Sequence, residues 1–395
     1  MSTQTREHGG ALSTYRQALR SAMNSIFTVT FFSSLTALEP TAGWSKRWTL
    51  RSVIYVSLLM AFESSRTLKD RFEYARASWV EMTPGRPRPG GSYQGYVQAR
   101  RRISGKQRQA LKRHLREHHR RIAQRYWVRH GWQAFSVDGT RIEVPRTAAN
   151  EQALGCAGRQ KTGPQWSLTA LYHLGTGLPW SWQIGPGTES ETAHLRNLVE
   201  DLPEGSLLVA DAGFTGFDLL RRLLTQGVNF LVRMGSNRTL LTGRQIREFY
   251  RMRWGQEVFY RSFKRTLEQY KMRSESPKEA YQELEWAMVA YLTMGLLSVE
   301  GRIQNGQDPL AWSPAGSLRI IRQGLRKTTC FRRAGDLRAL LAEAVKDGYT
   351  RTGSKKARNW PHKKNDKPPG IPKINKASEK EKAAIQRIYE KRKVA

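Results

Sequence analysis

Residues 134–144, with the sequence AFSVDGTRIEV, combine aromatic and β-branched side chains with alternating polar ones, and this pattern predicts a β-strand. Two runs of the same kind follow, WSLTALYHL at residues 166–174 and LPWSWQI at residues 178–184. The sequence Gly-Thr-Gly at residues 175–177 between them is typical of a hairpin turn. Three consecutive antiparallel strands are therefore predicted.

The residues that follow alternate between helix and strand patterns. Residues 190–202 and 217–225 have the spacing of amphipathic helices, whereas residues 206–210 (SLLVA) and 229–234 (NFLVRM) are short apolar runs typical of buried strands. An antiparallel three-strand unit followed by helix, strand, helix and strand predicts an α/β fold with a mixed sheet. A second apolar helix over residues 284–299 is expected to pack on this sheet.

The whole chain is strongly basic. Among 395 residues there are 67 Lys and Arg against 33 Asp and Glu, which gives a formal net charge of +34. A surplus of this size predicts a polyanionic partner, with nucleic acid as the leading candidate. A membrane partner is not expected, because the longest apolar runs, residues 53–62 and 286–297, are far shorter than the roughly 18 residues that span a bilayer.

The cysteine content and the N-terminal residues indicate the cellular setting. Cys156 and Cys330 are the two cysteines of the sequence, and neither a disulfide framework nor a cysteine-based zinc site is expected. The first ten residues lack the apolar stretch of a signal peptide. A cytoplasmic, nucleoid-associated protein is therefore predicted.

Four regions are predicted along the chain. Residues 1–130 are expected to form a helical basic DNA-binding domain, in which Tyr93, Tyr96 and Arg100–Arg102 suit contacts with DNA backbone and bases. Residues 131–300 hold the mixed sheet, and residues 301–350 form a C-terminal helical region. Residues 351–395 contain 15 Lys and Arg against 4 acidic residues, a composition typical of a disordered basic tail.

Residues 250–264, YRMRWGQEVFYRSFK, are predicted to be helical. At about 100° per residue, one narrow stripe holds a phenol, two cations and a carboxylate: Tyr250, Arg253, Glu257 and Lys264. The bulky apolar side chains fall on a separate, core-facing side: Phe249, Met252, Phe259 and Phe263. We expect Arg253 and Lys264 to hold phosphates around a scissile bond and not to form ion pairs with Glu257.

Two further carboxylates lie on predicted strands. Asp138 lies within the first strand, where a lone Asp is more often a strand-end or turn residue. Asp211 follows the strand at residues 206–210 and so lies at the carboxyl end of a strand, where open α/β sheets build their sites. The alternative role for Asp211 is an N-cap of the helix at residues 217–225.

Asp138, Asp211 and Glu257 together form a set of hard oxygen ligands suited to two Mg²⁺ or Mn²⁺ ions. Such a pair of ions clamps the attacking and leaving oxygens in phosphoryl transfer on nucleic acid. Four histidines show no metal-binding pattern and are interpreted as structural or phosphate-contacting: His118, His119, His173 and His194.

The stripe Tyr250, Arg253, Glu257 and Lys264 has the spacing of the Tyr-Arg-Glu-Lys signature of the insertion-sequence-four family of DDE transposases, which this chain resembles. The sequences VDGT around Asp138 and ADAGF around Asp211 are similar to the other two acidic blocks of that family. The resemblance implies a ribonuclease-H-like fold, a metal-binding triad of Asp138, Asp211 and Glu257, and contacts of Tyr250, Arg253 and Lys264 with DNA phosphates. It also implies cut-and-paste transposition, with double-stranded transposon ends and target DNA bound by a homodimer.

One feature departs from the family pattern. Family members usually carry a long β-rich insertion that receives a flipped base and holds a DNA hairpin, whereas here only 45 residues separate Asp211 from Glu257. Three hypotheses follow: a cut-and-paste transposase of a bacterial insertion sequence, a shortened and catalytically impaired transposase that acts as a DNA-binding protein or inhibitor, and a structure-selective nuclease.

Overall fold

The computed structural model describes residues 4–39, 43–45, 47–157, 163–214, 216–232, 244–326 and 337–346, together with residues 379, 380, 383 and 387. Its centre is a five-stranded sheet made of β1 (Ala134–Glu143), β2 (Gln165–His173), β3 (Leu178–Pro186), β4 (Leu207–Ala210) and β5 (Asn229–Val232). The strand order is β3-β2-β1-β4-β5, antiparallel from β1 to β3 and parallel from β1 through β4 to β5. This is the predicted mixed sheet, in a ribonuclease-H-like arrangement.

Helices precede, interrupt and follow the sheet. Before it lie α1 (Gln4–Ile26), α2 (Val29–Ala37), α3 (Leu50–Phe62), α4 (Leu68–Met82), α5 (Tyr93–Arg101) and α6 (Gly105–Ile122). Between strands lie α7 (Ala148–Leu154), α8 (Glu191–Leu198) and α9 (Phe217–Thr225). After β5 lie α10 (Arg244–Arg265), α11 (Pro277–Gln304), α12 (Pro314–Leu325) and α13 (Leu337–Ala342).

Side chains of β1 alternate between two apolar cores. Phe135 and Val137 pack with Leu195 and Leu198 of α8 on one face of the sheet. The intervening positions face α10 and α11, as side chains alternate along a strand. Helix α11 is buried along most of its length against the sheet and the N-terminal helices, so the predicted apolar helix is confirmed.

The N-terminal helices share this second core with α11 and α12, and their packing corrects one expectation. Tyr96 is buried and its hydroxyl shares a 2.7 Å hydrogen bond with Ser57. Arg100 is buried in an ion pair with Glu279 of α11. Both side chains therefore hold α5 in place, and neither is available to contact DNA.

The predicted strands β1 to β4 and the helix at residues 217–225 agree with the observed elements to within two residues at each end, whereas the helices predicted over residues 250–264 and 284–299 extend further, as α10 and α11. The predicted helix over residues 190–202 instead divides into α8 and a 3₁₀ turn, Val199–Asp201. The predicted strand over residues 229–234 is described only to Val232, and the junction that follows it lies outside the described residues. The predicted basic tail, residues 351–395, also lies outside the described residues, apart from residues 379, 380, 383 and 387. Within the described part, no helix combines the length and apolar character needed to cross a bilayer.

Candidate active site

Asp138 lies on β1, and Asp211 directly follows β4, the parallel neighbour of β1. β1 and β4 pair from Ala134↔Leu207 to Ser136↔Val209, and the same register carried two residues further places Asp138 opposite Asp211. Adjacent strands lie about 4.8 Å apart. β4 ends at Ala210 while β1 continues to Glu143, so both carboxylates lie at the point where β4 leaves the edge of β1.

Neither aspartate has the structural role proposed as the alternative to a catalytic one, which was a strand-end or turn residue for Asp138 and a helix N-cap for Asp211. Asp138 is paired with Ala170 in the middle of the antiparallel ladder, so it is not a turn residue. The residue that precedes α9 is Gly216, and no side chain caps this helix. The carboxylate of Asp211 instead accepts the N–H of Ala212 at 2.7 Å.

Buried hydrogen bonds fix α10 on the sheet. The Ser136 hydroxyl donates to Oε1 of Gln256 at 2.6 Å, and Nε2 of Gln256 donates to the Ala170 carbonyl at 2.7 Å. The Tyr260 hydroxyl donates to the backbone carbonyl of Asp138 at 2.6 Å and accepts the Ala170 N–H at 3.1 Å. Glu257 lies between these two anchors in sequence, so they hold its helix beside Asp138.

Arg253 and Glu257 form an ion pair, which contradicts the expectation that they would not. Nη2 of Arg253 lies 3.4 Å from Oε1 of Glu257. The spacing of four residues on a helix places the two side chains side by side, and only 10% of the Arg253 side chain is exposed, which limits the other partners it can reach. The guanidinium also lies 5.4 Å from the ring centroid of Tyr250.

The remaining stripe residues lie in different surroundings. The Tyr250 hydroxyl and Nε of Arg253 are buried and have no hydrogen-bond partner within the described part of the chain. Lys264 lies at the far end of the stripe, near Glu143, and burial lowers the pKa of its ammonium group. The stripe therefore has a compact end at Tyr250, Arg253 and Glu257, and a separate cation two turns away.

Electrostatics around Asp138 identify its neighbours. The pKa of Asp138 is raised to about 6, mainly by burial and in smaller part by the nearby Glu191 and Glu257. The N–H of Gly139, 3.0 Å from Oδ1, and the Arg253 guanidinium act in the opposite direction. Asp138 therefore lies among other carboxylates, one of which the sequence analysis missed.

The missed residue is Glu191, the first residue of α8. An acidic residue in the first turn of a helix ordinarily complements the helix dipole, so its type and position gave no signal of a site. The only clue in the sequence is Gly139, which directly follows Asp138. A Cβ atom at Gly139 would lie 2.5 Å from Cγ of Glu191 and closer still to its carboxyl group, so the missing side chain makes room for this glutamate.

The predicted metal ligands match the chemistry of a divalent-ion site. Carboxylate oxygens are the ligands that Mg²⁺ and Mn²⁺ prefer, and bound cations would offset the repulsion among these carboxylates. Among the described residues, no three His, Cys, Asp or Glu side chains lie close enough together to hold a metal ion. The donor set therefore fits in type, and its side chains would have to turn toward one another to share an ion.

The four histidines are structural. All are buried: His118, His119, His173 and His194. His119 and His173 both hydrogen-bond the Thr176 hydroxyl, and burial lowers the pKa of each. His194 lies against Thr169 and Glu189. Their burial leaves none of them in a position to contact phosphate.

Comparison with known proteins gives a match of part of the chain to one family model. Residues 130–293 match the family model described as "Transposase DDE domain", a segment that holds the whole sheet and all three predicted triad residues. Among solved structures, the chain is similar to a chain in the structure titled "Cryo-EM structure of piggyBac transposase synaptic complex with hairpin DNA (SNHP)". The two chains share 12% sequence identity, with a TM-score of 0.41. That alignment covers 89% of this chain and 90% of the other. No curated protein matches the sequence significantly.

Proposed function

We propose that the protein is a metal-dependent DDE transposase that cuts and joins DNA at the terminal inverted repeats of a bacterial insertion sequence. The observation that carries this proposal is that Asp138 lies on β1 while Asp211 directly follows the adjacent parallel strand β4, and that the Gln256 and Tyr260 anchors hold the helix of Glu257 beside Asp138. The match of residues 130–293 to the transposase family model supports the same reading.

In this proposal Asp138, Asp211 and Glu257 hold two Mg²⁺ or Mn²⁺ ions. Two such ions, when bound, activate the attacking oxygen and stabilise the leaving oxygen of an in-line displacement. The protein's own part is to position these carboxylates. Gln256 and Tyr260 hold α10, and with it Glu257, beside Asp138 through hydrogen bonds from side chains that are themselves buried.

Arg253 is proposed to exchange partners when DNA binds. Its Nη2 pairs with Glu257, while its buried Nε has no partner in the described part of the chain. A DNA phosphate offers two acceptor oxygens in the geometry that a guanidinium fork prefers. A phosphate bound by Arg253 would release Glu257 toward Asp138. Tyr250, whose buried hydroxyl also lacks a partner, would contact the adjoining phosphate.

The net charge of +34 supports double-stranded DNA as the partner, with phosphate contacts providing most of the sequence-independent affinity. We further propose that two copies of the chain pair two transposon ends at the nucleoid. The mass of the complex on short end DNA, measured by light scattering, tests this: a particle of two chains and two DNA ends is expected, and a particle of one chain and one DNA end would contradict the homodimer.

A second candidate function is DNA binding without cleavage. Two observations favour it: only 45 residues separate Asp211 from Glu257, and within the described part of the chain the Glu257 carboxylate is paired with Arg253. A shortened protein of this kind would occupy transposon ends or inhibit a complete transposase through mixed dimers.

Cleavage of end DNA decides between the candidates. The full chain is incubated with linear DNA that carries the inverted repeats flanking its gene, with Mn²⁺ or Mg²⁺, and the same DNA with scrambled repeats is the control. A nick at the repeat boundary, absent in the Asp138→Asn variant, is expected for the transposase. A footprint on the repeats without a nick would establish the second candidate, and equal nicking of scrambled DNA would establish a nuclease.

A further inference from the structure

We infer that Glu191 is a fourth carboxylate of the divalent-ion site, facing Asp138 across β1 from the side opposite to Glu257. The inference rests on the proposed function, since it adds a residue to the same site. Side chains of β1 alternate between two faces of the sheet. Asp138 shares a face with Ser136, which bonds α10, whereas Gly139 shares the other face with Val137, which packs on α8.

The carboxyl group of Glu191 reaches β1 through the space that Gly139 leaves. Cγ of Glu191 lies 2.5 Å from the position that a Cβ of residue 139 would take, and its carboxyl atoms lie closer still. Any other residue at position 139 would push this carboxylate away from the strand. Gly139 therefore allows a glutamate from one face of the sheet to approach an aspartate that belongs to the other.

A second contact places Glu191 near Asp211. Thr192, the next residue, donates a hydrogen bond from its hydroxyl to the Gly213 carbonyl at 3.5 Å. Gly213 belongs to the short turn Ala212–Phe214 that directly follows Asp211. The first turn of α8 thus contacts the residue after Asp138 and the turn after Asp211, which are the two acidic blocks of the site.

Glu191 lacks the partner that neighbouring glutamates have. Glu189 pairs with His194 and Glu200 pairs with Arg222, each within 3.0 Å. Among the described residues, Glu191 forms no ion pair, and it is exposed to solvent. Its carboxylate lies near enough to Asp138 for the two negative charges to repel each other, and a divalent cation bound between them would relieve this repulsion.

An unpaired donor on the other side of Asp138 points to the same ligand. Arg253 is 8% exposed, and its Nε lacks a partner within the described part of the chain. Unpaired carboxylates on one side and an unpaired guanidinium nitrogen on the other complement a divalent ion bound to a phosphate. Glu191 would hold that ion together with Asp138.

Binding of Mn²⁺ to the full chain, measured by electron paramagnetic resonance without DNA, tests the inference. Asp138→Asn defines the loss expected when a ligand is removed. Glu191→Gln is expected to weaken Mn²⁺ binding tenfold or more, in the range found when groups supporting a metal are removed. Glu200→Gln, which removes the same charge from the 3₁₀ turn after α8, is the matched control and is expected to bind like the unchanged protein.

Gly139→Ala is the independent variant, because it leaves every carboxylate in place. The atoms that its Cβ would meet belong to the flexible end of Glu191, so the fold is expected to keep its melting temperature while the glutamate moves away. A loss of Mn²⁺ affinity equal to that of Glu191→Gln is expected. The variant that combines Gly139→Ala with Glu191→Gln should show no further loss. This variant also decides the question if Glu191→Gln fails to fold.

The outcomes separate the inference from the proposed function. If Asp138→Asn loses Mn²⁺ while Glu191→Gln and Gly139→Ala bind it normally, Glu191 is not a ligand and the proposed function stands. If the unchanged protein binds no Mn²⁺, the inference and the metal-dependent function fail together. If Mn²⁺ binds as expected but end DNA is not cut, the fourth carboxylate stands and the transposase proposal fails.

Discussion

The two faces of β1 position their carboxylates by opposite means. On the α10 face, the buried side chains of Gln256 and Tyr260 form four hydrogen bonds with β1 and β2 and so fix Glu257. On the α8 face, apolar packing and the absence of a side chain at Gly139 admit Glu191. The first arrangement depends on specific buried polar partners, whereas the second depends on empty space. The two faces should therefore respond differently to substitution.

The largest expected effect comes from the residue that both faces share. Asp138→Asn should lower end cleavage at least a thousandfold, because a catalytic metal contributes several kcal/mol of transition-state stabilisation. DNA affinity should stay nearly unchanged, because phosphates are bound elsewhere. Parallel nicking and gel-shift assays measure the two effects. Loss of DNA binding together with cleavage would show that Asp138 is structural.

The second largest expected effect is on the free energy of unfolding, and it distinguishes the two faces of β1. Tyr260→Phe leaves the buried Ala170 N–H without its acceptor, so the free energy of unfolding should fall by about 1–3 kcal/mol. Glu191→Gln on the other face should leave it nearly unchanged, because Glu191 forms no ion pair among the described residues. Urea denaturation measures both. Equal losses of stability would remove the contrast between the two faces.

The pH dependence of Asp138 gives a smaller effect of known sign. Its pKa is raised in the folded chain, to about 6, mainly by burial. The protonated form is therefore favoured on folding, and this contribution to stability is lost as pH rises from about 4 through 6. Asp138→Asn should gain stability relative to the unchanged protein over that interval and hold the gain above it. Mn²⁺ affinity should rise over the same interval, because the ion needs the ionised carboxylate.

Thermal unfolding from pH 4 to pH 8, with and without Mn²⁺, measures these changes. In the unchanged protein, added Mn²⁺ should stabilise most above pH 6, while the Asp138→Asn variant should show no such dependence. A difference between the two proteins that is constant with pH would show that Asp138 titrates normally, and would remove the electrostatic argument for a crowded site.

The contrast between the faces also explains what the sequence could reveal. Apolar patterns and a glycine hairpin predict strands such as residues 178–184, and strand ends and helical spacing identify Asp211 and Glu257 as candidates. Glu191 lies 52 positions after Gly139, and only the packing of α8 against β1 brings the two together. The burial of Arg100 likewise depends on Glu279 of α11, a partner that local patterns do not indicate. Local spacing favours the Arg253–Glu257 ion pair, because residues four apart on a helix lie side by side, whereas the phosphate-binding interpretation predicts that this pair is absent.

The smallest expected effect concerns the far end of α10. Lys264 lies seven residues beyond Glu257, about 10.5 Å along the helix, and is the stripe cation that forms no ion pair among the described residues. If it holds the phosphate next to the scissile bond, Lys264→Ala should lower end cleavage about tenfold, the value of one charge-assisted hydrogen bond. Lys264→Arg should restore most of the rate, because a guanidinium also binds phosphate.

The melting temperature of the Lys264→Ala protein should stay within about two degrees of that of the unchanged protein, since no ion pair is lost. The matched control is Lys271→Ala, which removes the same charge just after α10. If both variants cut end DNA at the normal rate, the phosphate role of Lys264 is wrong, and the stripe's function is confined to Tyr250, Arg253 and Glu257.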